Sequence, residues 1–533
     1  MLGPVKLRLL DQPILVSLED LVPQDSFYRH LDRSLNLAFV RDLVRDSYAE
    51  SGRPSIDPIV FFKLQLVMFF ERIYSERELI RIAADRLSVR WYLGYHFHEP
   101  LPDHSSLTRI RERYGLPVFR RFFEAIVEQC QQAKLVWGKE LYFDGTKVEA
   151  NASLDSAQPR FAVEAHLQRL FEAGDCAGAE ATQPVASTEA RNCGMDCPAA
   201  TAPEPLDQVP AIAIPLPVTI SEESRETLEE ANGQRHDWIA REGRPDRQAT
   251  HGHWGYQRRS DFVASATDPD AALMHRKSGG AHFGYHDHYV VDGGKSRIIV
   301  NVLVTPADVM DNQPMLDLLW RTRFRWQLWP RQVTGDTKYG TLENIIPIEN
   351  AHIRAYLPLP DLDKRTPFFG QAAFRYDAQR NVYVCPQGAE LRFFGRMYTE
   401  RIIRYRGESA TCNACPVKGQ CTTGSKGRVV TRSFDEHYLD RVRAYHATEP
   451  YKKAIEKRKV WVEPLFAEAK EWHGLRRFRL RTLWKVNVEA MMVATGQNLK
   501  RLLSKRGWGR RRWPGGVPSL ALSRCLQQPC LFS

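Results

Sequence analysis

No apolar stretch in this sequence is long enough to span a bilayer. The longest, residues 59–70, is interrupted by Lys63 and Gln65 and stops at Glu71 and Arg72, well short of the ~20 apolar residues a spanning helix needs. A buried helix is the better reading, and no membrane partner is expected. The opening residues, MLGPVKLRLLDQP, hold neither a sustained apolar core nor a small-residue cleavage site, so no secretory signal is expected. Cysteine is scarce, 10 in 533 residues. In a long chain that excludes a dense disulfide framework and leaves free thiols or metal ligands. Acidic residues lag behind basic ones, 64 against 75, for a net charge of +11 and a pI near 9.1. That excess suits a polyanion, because Lys and Arg that neutralise phosphates release counterions. An acidic surface or solubility alone would fit it too, so charge does not decide. The expected setting is cytoplasmic and close to the nucleoid.

The rest is ordinary globular composition, 43% hydrophobic and 26% charged, in a chain too long for one core; about three or four domains are expected. Residues 1–135 read as an all-α domain that binds DNA. Asp57–Pro58 precedes the apolar run, and Ser75 with Glu78 makes a capping-box pattern. A helix is expected from about residue 103, carrying Arg109, Arg111 and Arg113. Phe119, Phe122, Phe123, Ile126 and Val127 follow at helical spacing. Residues 136–154 hold a first strand, with Asp144–Gly145 at its functional end or at a turn. Residues 155–278 lose the strand pattern, are Ala- and Pro-rich over 174–218, and read as a partly disordered insertion with a polar helix near 221–241. Residues 279–359 regain it: two β-rich runs around Asp292–Gly293–Gly294, then helix, strand, helix, strand. Residues 360–440 form a Cys-containing insert, 441–505 read as helices, and 506–533 as a basic, irregular tail. The order of elements predicts an α/β fold, a mixed sheet flanked by helices.

Three acids stand out: Asp144 in ELYFDGTKVEANAS, Asp336 in RQVTGDTKYG and Glu463 in RKVWVEPLFAEAK. Singly, each Asp beside a Gly fits a turn. Together, carboxylates at the ends of two strands can meet at one sheet edge, where a shared metal offsets their repulsion. Three carboxylates make an oxygen-rich pocket suited to Mg²⁺, and two such ions can clamp a phosphodiester displacement. Pro464 puts Glu463 at a helix start or kink; it is preferred over Glu468 as the third acid. Lys470 falls on nearly the same helical face and could hold a phosphate.

The segments DGTKVEANAS, GDTKYG and VEPLFAEAKEWHGLRRFRLR, with PSIDPIVFFKLQLVMFF and DHSSLTRIRERYG upstream, resemble DDE transposases of bacterial insertion sequences. The resemblance covers most of residues 50–505. It implies a ribonuclease-H-like core with a large insertion before the last acid, and Asp144, Asp336 and Glu463 as its catalytic acids. It implies two Mg²⁺ ions (with Mn²⁺ as a substitute) and a homodimer on double-stranded DNA, both terminal inverted repeats and target. Related branches carry Tyr-x2-Arg-x3-Glu-x6-Lys around the last acid. Glu463 and Lys470 fit it, Lys459 and Glu456 hold the Arg and Tyr positions, and Arg458 is the candidate substitute. The activity implied is hydrolytic cleavage at the element's ends, then attack of the freed 3′-hydroxyl on target DNA. The alternatives are a Mg²⁺ nuclease without strand transfer and a non-catalytic DNA-binding descendant.

Cys385, Cys412, Cys415 and Cys421, spaced C-x26-C-x2-C-x5-C, are candidate zinc ligands or packed thiols. Cys193 and Cys197 read as a chance pairing. His286 and His288 share one strand face and read as hydrogen-bonded histidines rather than ligands. Arg476, Arg477, Arg479 and Arg481, interleaved with Phe478, suit a DNA groove.

Overall fold

In a computed structural model, residues 15–49, 55–159, 263–275, 280–361 and 367–509 are described. The N-terminal part is helical as expected: α1 Leu18–Leu21, α2 Phe27–Ser34, α3 Phe39–Val44, α4 Pro58–Glu71, α5 Glu76–Asp85, α6 Leu87–Leu93 and α7 His104–Gln132. Local signals set their ends. Asp57 accepts from the Ile59 N–H at 2.9 Å to cap α4, Ser75 caps α5, and Asp103 accepts from Ser105 N–H at 2.8 Å to open α7. Gly115, at φ 58°, breaks α7 into two arms just before Pro117. The second arm carries the Phe119–Phe122–Phe123 face into the core.

The main sheet is built from β1 Glu140–Glu149, β4 Ala272–His275, β5 Ala281–Asp292, β6 Ile299–Pro306, β7 Gln332–Thr334 and β8 Arg354–Tyr356. β5 is long enough to pair with β4 at its start and β6 beyond; on its other side stands β1, then β7 and β8. The β1–β5 and β5–β6 pairings are antiparallel, whereas β1–β7 and β7–β8 are parallel. The Asp292–Gly294 turn closes the β5–β6 hairpin, with Asp292 accepting from Gly294 N–H at 2.9 Å. α8 Met315–Trp326 and α9 Leu342–Asn350 connect β6, β7 and β8. The stretch after 155 does contain strands: β2 Ala157–Pro159 pairs with β3 Val263–Ser265, and β4 extends the sheet edge. The intervening 160–262, with the helix expected near 221–241 and Cys193 and Cys197, lie outside the described residues, as do 510–533 of the tail.

Residues 367–433 form a separate five-stranded antiparallel sheet, β9 Arg375–Asp377, β10 Val382–Val384, β11 Glu390–Met397, β12 Ile402–Gly407 and β13 Val429–Ser433. Two short helices, α10 Ser409–Asn413 and α11 Lys418–Cys421, lie between β12 and β13. The chain returns through α12 Glu436–His446, α13 Glu449–Trp461, α14 Glu463–Trp472 and α15 Leu483–Lys505.

α15 ties the molecule together. It packs on α7, α4 and β6, so the N-terminal helices and the main sheet share one continuous core rather than splitting near residue 135. β6 has an unpaired side that must find hydrogen-bond partners when buried. Two asparagines of α15 supply them: Asn498 accepts from Ile299 N–H at 2.9 Å and Asn487 from Val304 N–H at 2.8 Å. Among the described residues, no helix is long and apolar enough to cross a membrane.

Candidate active site

Asp144 is the fifth residue of β1, and the strand continues through Gly145 to Glu149. Asp144–Gly145 is therefore neither a turn nor a strand end. The pair Gly145↔His288 keeps the ladder intact past the acid. Tyr142 pairs with Thr334 in the parallel β1–β7 ladder. Asp144 lies two residues beyond Tyr142 on β1, and Asp336 two residues beyond Thr334, in extended backbone just past the end of β7. β7 stops at Thr334, and Asp336 then accepts from the Lys338 N–H at 2.9 Å, capping a short turn over 337–339.

The third acid arrives from α13 and α14. Arg458, in the last turn of α13, places one guanidinium nitrogen 3.0 Å from Asp144 Oδ2 and the other 3.7 Å from Glu463 Oε1. Glu463 opens α14 with its side chain half exposed, 55%. Arg458 thus pairs with both Asp144 and Glu463, and the Asp336 and Glu463 charges both reach Asp144, although the oxygens of the three acids do not all come within 4.8 Å of one another. Burial pushes the Asp144 carboxyl up to about 6; Arg458 and the Gly145 N–H pull it down, and the Asp336 and Glu463 charges push it up. A buried carboxylate flanked by two others is under-neutralised by one arginine. A hard divalent cation is the partner such an oxygen set fits.

Arg458, not the exposed Lys459, occupies the arginine position beside the acids. Lys470 does not point to solvent. It donates to Thr146 Oγ1 at 2.6 Å and to the Lys147 carbonyl at 2.9 Å, one turn of β1 from Asp144. Glu468 lies elsewhere, among Lys500, Gln497, Arg501 and His473.

Beside the acids, His286 and His288 are hydrogen-bonded as the sequence suggested, and they join a group with Asp311 and Lys338 that the sequence did not reveal. Asp311 bonds Lys338 through one oxygen and lies 3.2 Å from His286 Nδ1 through the other. His286 also meets the Val309 carbonyl at 3.1 Å, and His288 Nε2 meets Thr305 Oγ1 at 2.9 Å. Lys338 follows Asp336 by two residues, so this group anchors the turn that presents the second acid. Among the described residues, His286, His288 and Asp311 alone gather three ligand atoms within 4.8 Å. Lys338 already neutralises Asp311, and burial drives both histidines toward the neutral form. The group reads as a hydrogen-bonded support. The two histidines were visible in the sequence; their partners Asp311 and Lys338 were not.

The arginines expected on DNA divide. Arg109 and Arg113 are exposed on α7. Arg111 is not; it is 2% exposed and paired with Glu76. Lying two residues from each of the others, about 200° around the helix, it is turned to the opposite side, into the core. Arg479 also meets Glu76, at 3.2 Å, so it joins the C-terminal segment to the helical unit instead of projecting. Residues 476–478 are extended, not helical, alongside the end of β1: Glu149 N–H donates to Arg476 O at 3.0 Å and Phe478 N–H to Glu149 O at 2.8 Å. Arg476, Arg477 and Arg481 are exposed there. Lys485 reaches Glu112 of α7 at 3.0 Å, which sets this basic segment beside the exposed arginines of α7.

The mixed α/β fold and its acids can be set beside two family models that match parts of the chain. Residues 384–503 match a family model described as "Transposase DDE domain", and residues 16–113 match one described as "Transposase domain (DUF772)". Both agree with the resemblance to insertion-sequence DDE transposases, and the first spans Glu463. No curated protein and no solved structure matches the chain.

Proposed function

We propose that this chain is a transposase that binds the ends of its own insertion sequence, cleaves them by metal-dependent hydrolysis and joins the 3′-hydroxyl to target DNA. The observation that carries the reading is Arg458 bridging Asp144 and Glu463 while the Asp336 charge also acts on Asp144. The strand order β6-β5-β1-β7-β8, antiparallel then parallel, supports a ribonuclease-H-like core with residues 360–440 inserted before the last acid.

The three carboxylates would hold two Mg²⁺ ions, which supply the charge that lowers the barrier to phosphodiester attack. The chain's own residues do the positioning. β1 and the Asp336 cap fix two carboxylates on a rigid sheet, and the Asp311–Lys338 pair holds the second from behind. Arg458 balances the acids before DNA arrives. The exposed Arg109, Arg113, Arg476, Arg477 and Arg481 supply phosphate contacts that set register. The test is a strand-transfer assay with pre-nicked ends carrying the element's terminal repeats. Joined product is expected; cutting without joining would favour a nuclease, and neither activity a DNA-binding descendant.

Two further outcomes follow from the geometry. Arg458 holds the Asp144 carboxyl down, so Arg458→Gln should move the acid limb of the cleavage pH profile upward, by about one unit. An unmoved limb would separate Arg458 from the acids. Lys470→Ala should slow cleavage about 10- to 100-fold, less than loss of an acid, because Lys470 positions β1 and meets phosphate without holding metal. Single-turnover cleavage rates check this; a loss equal to that of Asp144→Asn would contradict it.

A further inference from the structure

The sheet β9–β13 is thinly supported. Its own core has five buried side chains, Phe374, Tyr383, Leu391, Tyr405 and Val430, separate from the main core. A unit this small usually needs a cross-link or metal to hold its shape. Four thiols are placed to provide one. Cys385 follows β10 in a tight turn: its carbonyl accepts from Gly388 N–H at 2.9 Å, with Gly388 at φ +81°. Cys412 and Cys415 lie on and just after α10, and Cys421 ends α11. Cys412 Sγ rests over bare backbone, since a Cβ on Gly407 would fall 2.8 Å from it; Gly427, at φ +88°, leaves the same room from the other side.

All four cysteines are free and half-buried, and all four line one cavity of about 1050 Å³. Burial pushes the Cys421 thiol up, Arg428 pulls it back, and Cys412, Cys385 and Cys415 each push it further, so the four lie within electrostatic reach. Arg380, Arg392, Arg406, Lys418 and Arg428 line the same cavity, cations able to balance the charge of thiolates bound to a metal. No three of the sulfurs yet lie within 4.8 Å of one another.

We propose that Cys385, Cys412, Cys415 and Cys421 bind one structural zinc ion as four thiolates. Four thiol protons leave to solvent and no electron moves. The ion draws α10 and α11 onto the Cys385 turn and closes the cavity. Four sulfurs in a closed shell leave no position for substrate, which makes the site structural. It stands apart from the acidic site and holds whether or not the chain cuts DNA.

Elemental analysis of the purified full-length chain, after passage over a chelating resin, tests this. About one zinc and no iron per chain is the expected result. Cys412→Ser with Cys415→Ser should lower zinc at least about fivefold, while Cys130→Ser and Asp144→Asn leave it unchanged. A mercurial titration of the wild-type chain decides the matter where the double variant does not fold: zinc held by sulfur leaves in step with thiol modification. A folded chain with less than about one fifth of a zinc ion, iron in its place, or zinc that survives thiol modification would overturn the proposal.

Discussion

Asp144→Asn is expected to reduce end cleavage by about 10³-fold or more, while binding of the ends persists. Asp336→Asn should do the same. Each removes a fixed charge from the centre of the site, whereas the exposed arginines proposed to meet phosphate lie on other elements. Single-turnover cleavage and a gel-shift titration at fixed salt separate the two effects, since binding here is strongly salt-dependent. Asp144→Asn carries a second signature. The folded carboxyl sits near 6 against an ordinary 3.8, so the folded state holds this proton more tightly than the unfolded one. The stability this contributes is complete below pH 3.8 and lost as pH rises through 6; above that, the ionised group burdens the fold. Replacing it with a neutral amide should therefore stabilise the metal-free fold at pH 8 by on the order of 2 kcal/mol, seen as a higher Tm. Added Mg²⁺ should raise the wild-type Tm by mass action and leave the variant's unmoved. A Mg²⁺-dependent gain that survives in Asp144→Asn would place the ions elsewhere, with His286, His288 and Asp311 the first group to examine.

The sequence was readable where local chemistry and period agree. Asp57, Ser75 and Asp103 start helices where their side chains can accept the first free N–H groups, and Asp292–Gly293–Gly294 turns a hairpin as its composition predicts. The acids were legible because β-rich runs lead into both aspartates. What stayed hidden depends on contacts between distant segments. Asp-Gly is a turn signal taken alone; the ladder to β5 and β7 overrides it and keeps β1 extended through Gly145. Arg111 looks like its neighbours until Glu76 of α5, 35 residues back, draws it inward. The segment from 476 lies beside a basic helix in the sequence, yet it is pulled straight by backbone bonds to Glu149. Nothing local marks Asp311 as the anchor of the Asp336 turn, because its partners lie on β5 and beyond β7.

The choice between Glu463 and Glu468 is where two carboxylates one turn apart meet opposite surroundings. Glu463 is half exposed and pairs with Arg458 at 3.7 Å. Glu463→Gln should abolish cleavage with stability changed by no more than about 0.5 kcal/mol. Glu468 is 20% exposed. Burial alone would raise its carboxyl, but His473, Lys500 and Arg501 hold it at about 2. Its folded value is depressed, so the stability it gives is present above the ordinary 4.5 and disappears as pH falls toward 2. Glu468→Gln strands Lys500 and Arg501 beside a neutral amide and should cost roughly 2–4 kcal/mol at pH 7, shrinking as the medium is acidified. Urea unfolding at pH 7 and pH 3, beside cleavage rates well below the melting point, distinguishes the two residues. If Glu468→Gln folded normally and failed to cut, while Glu463→Gln still cut, the third acid would be Glu468 and Arg458 would serve Asp144 alone.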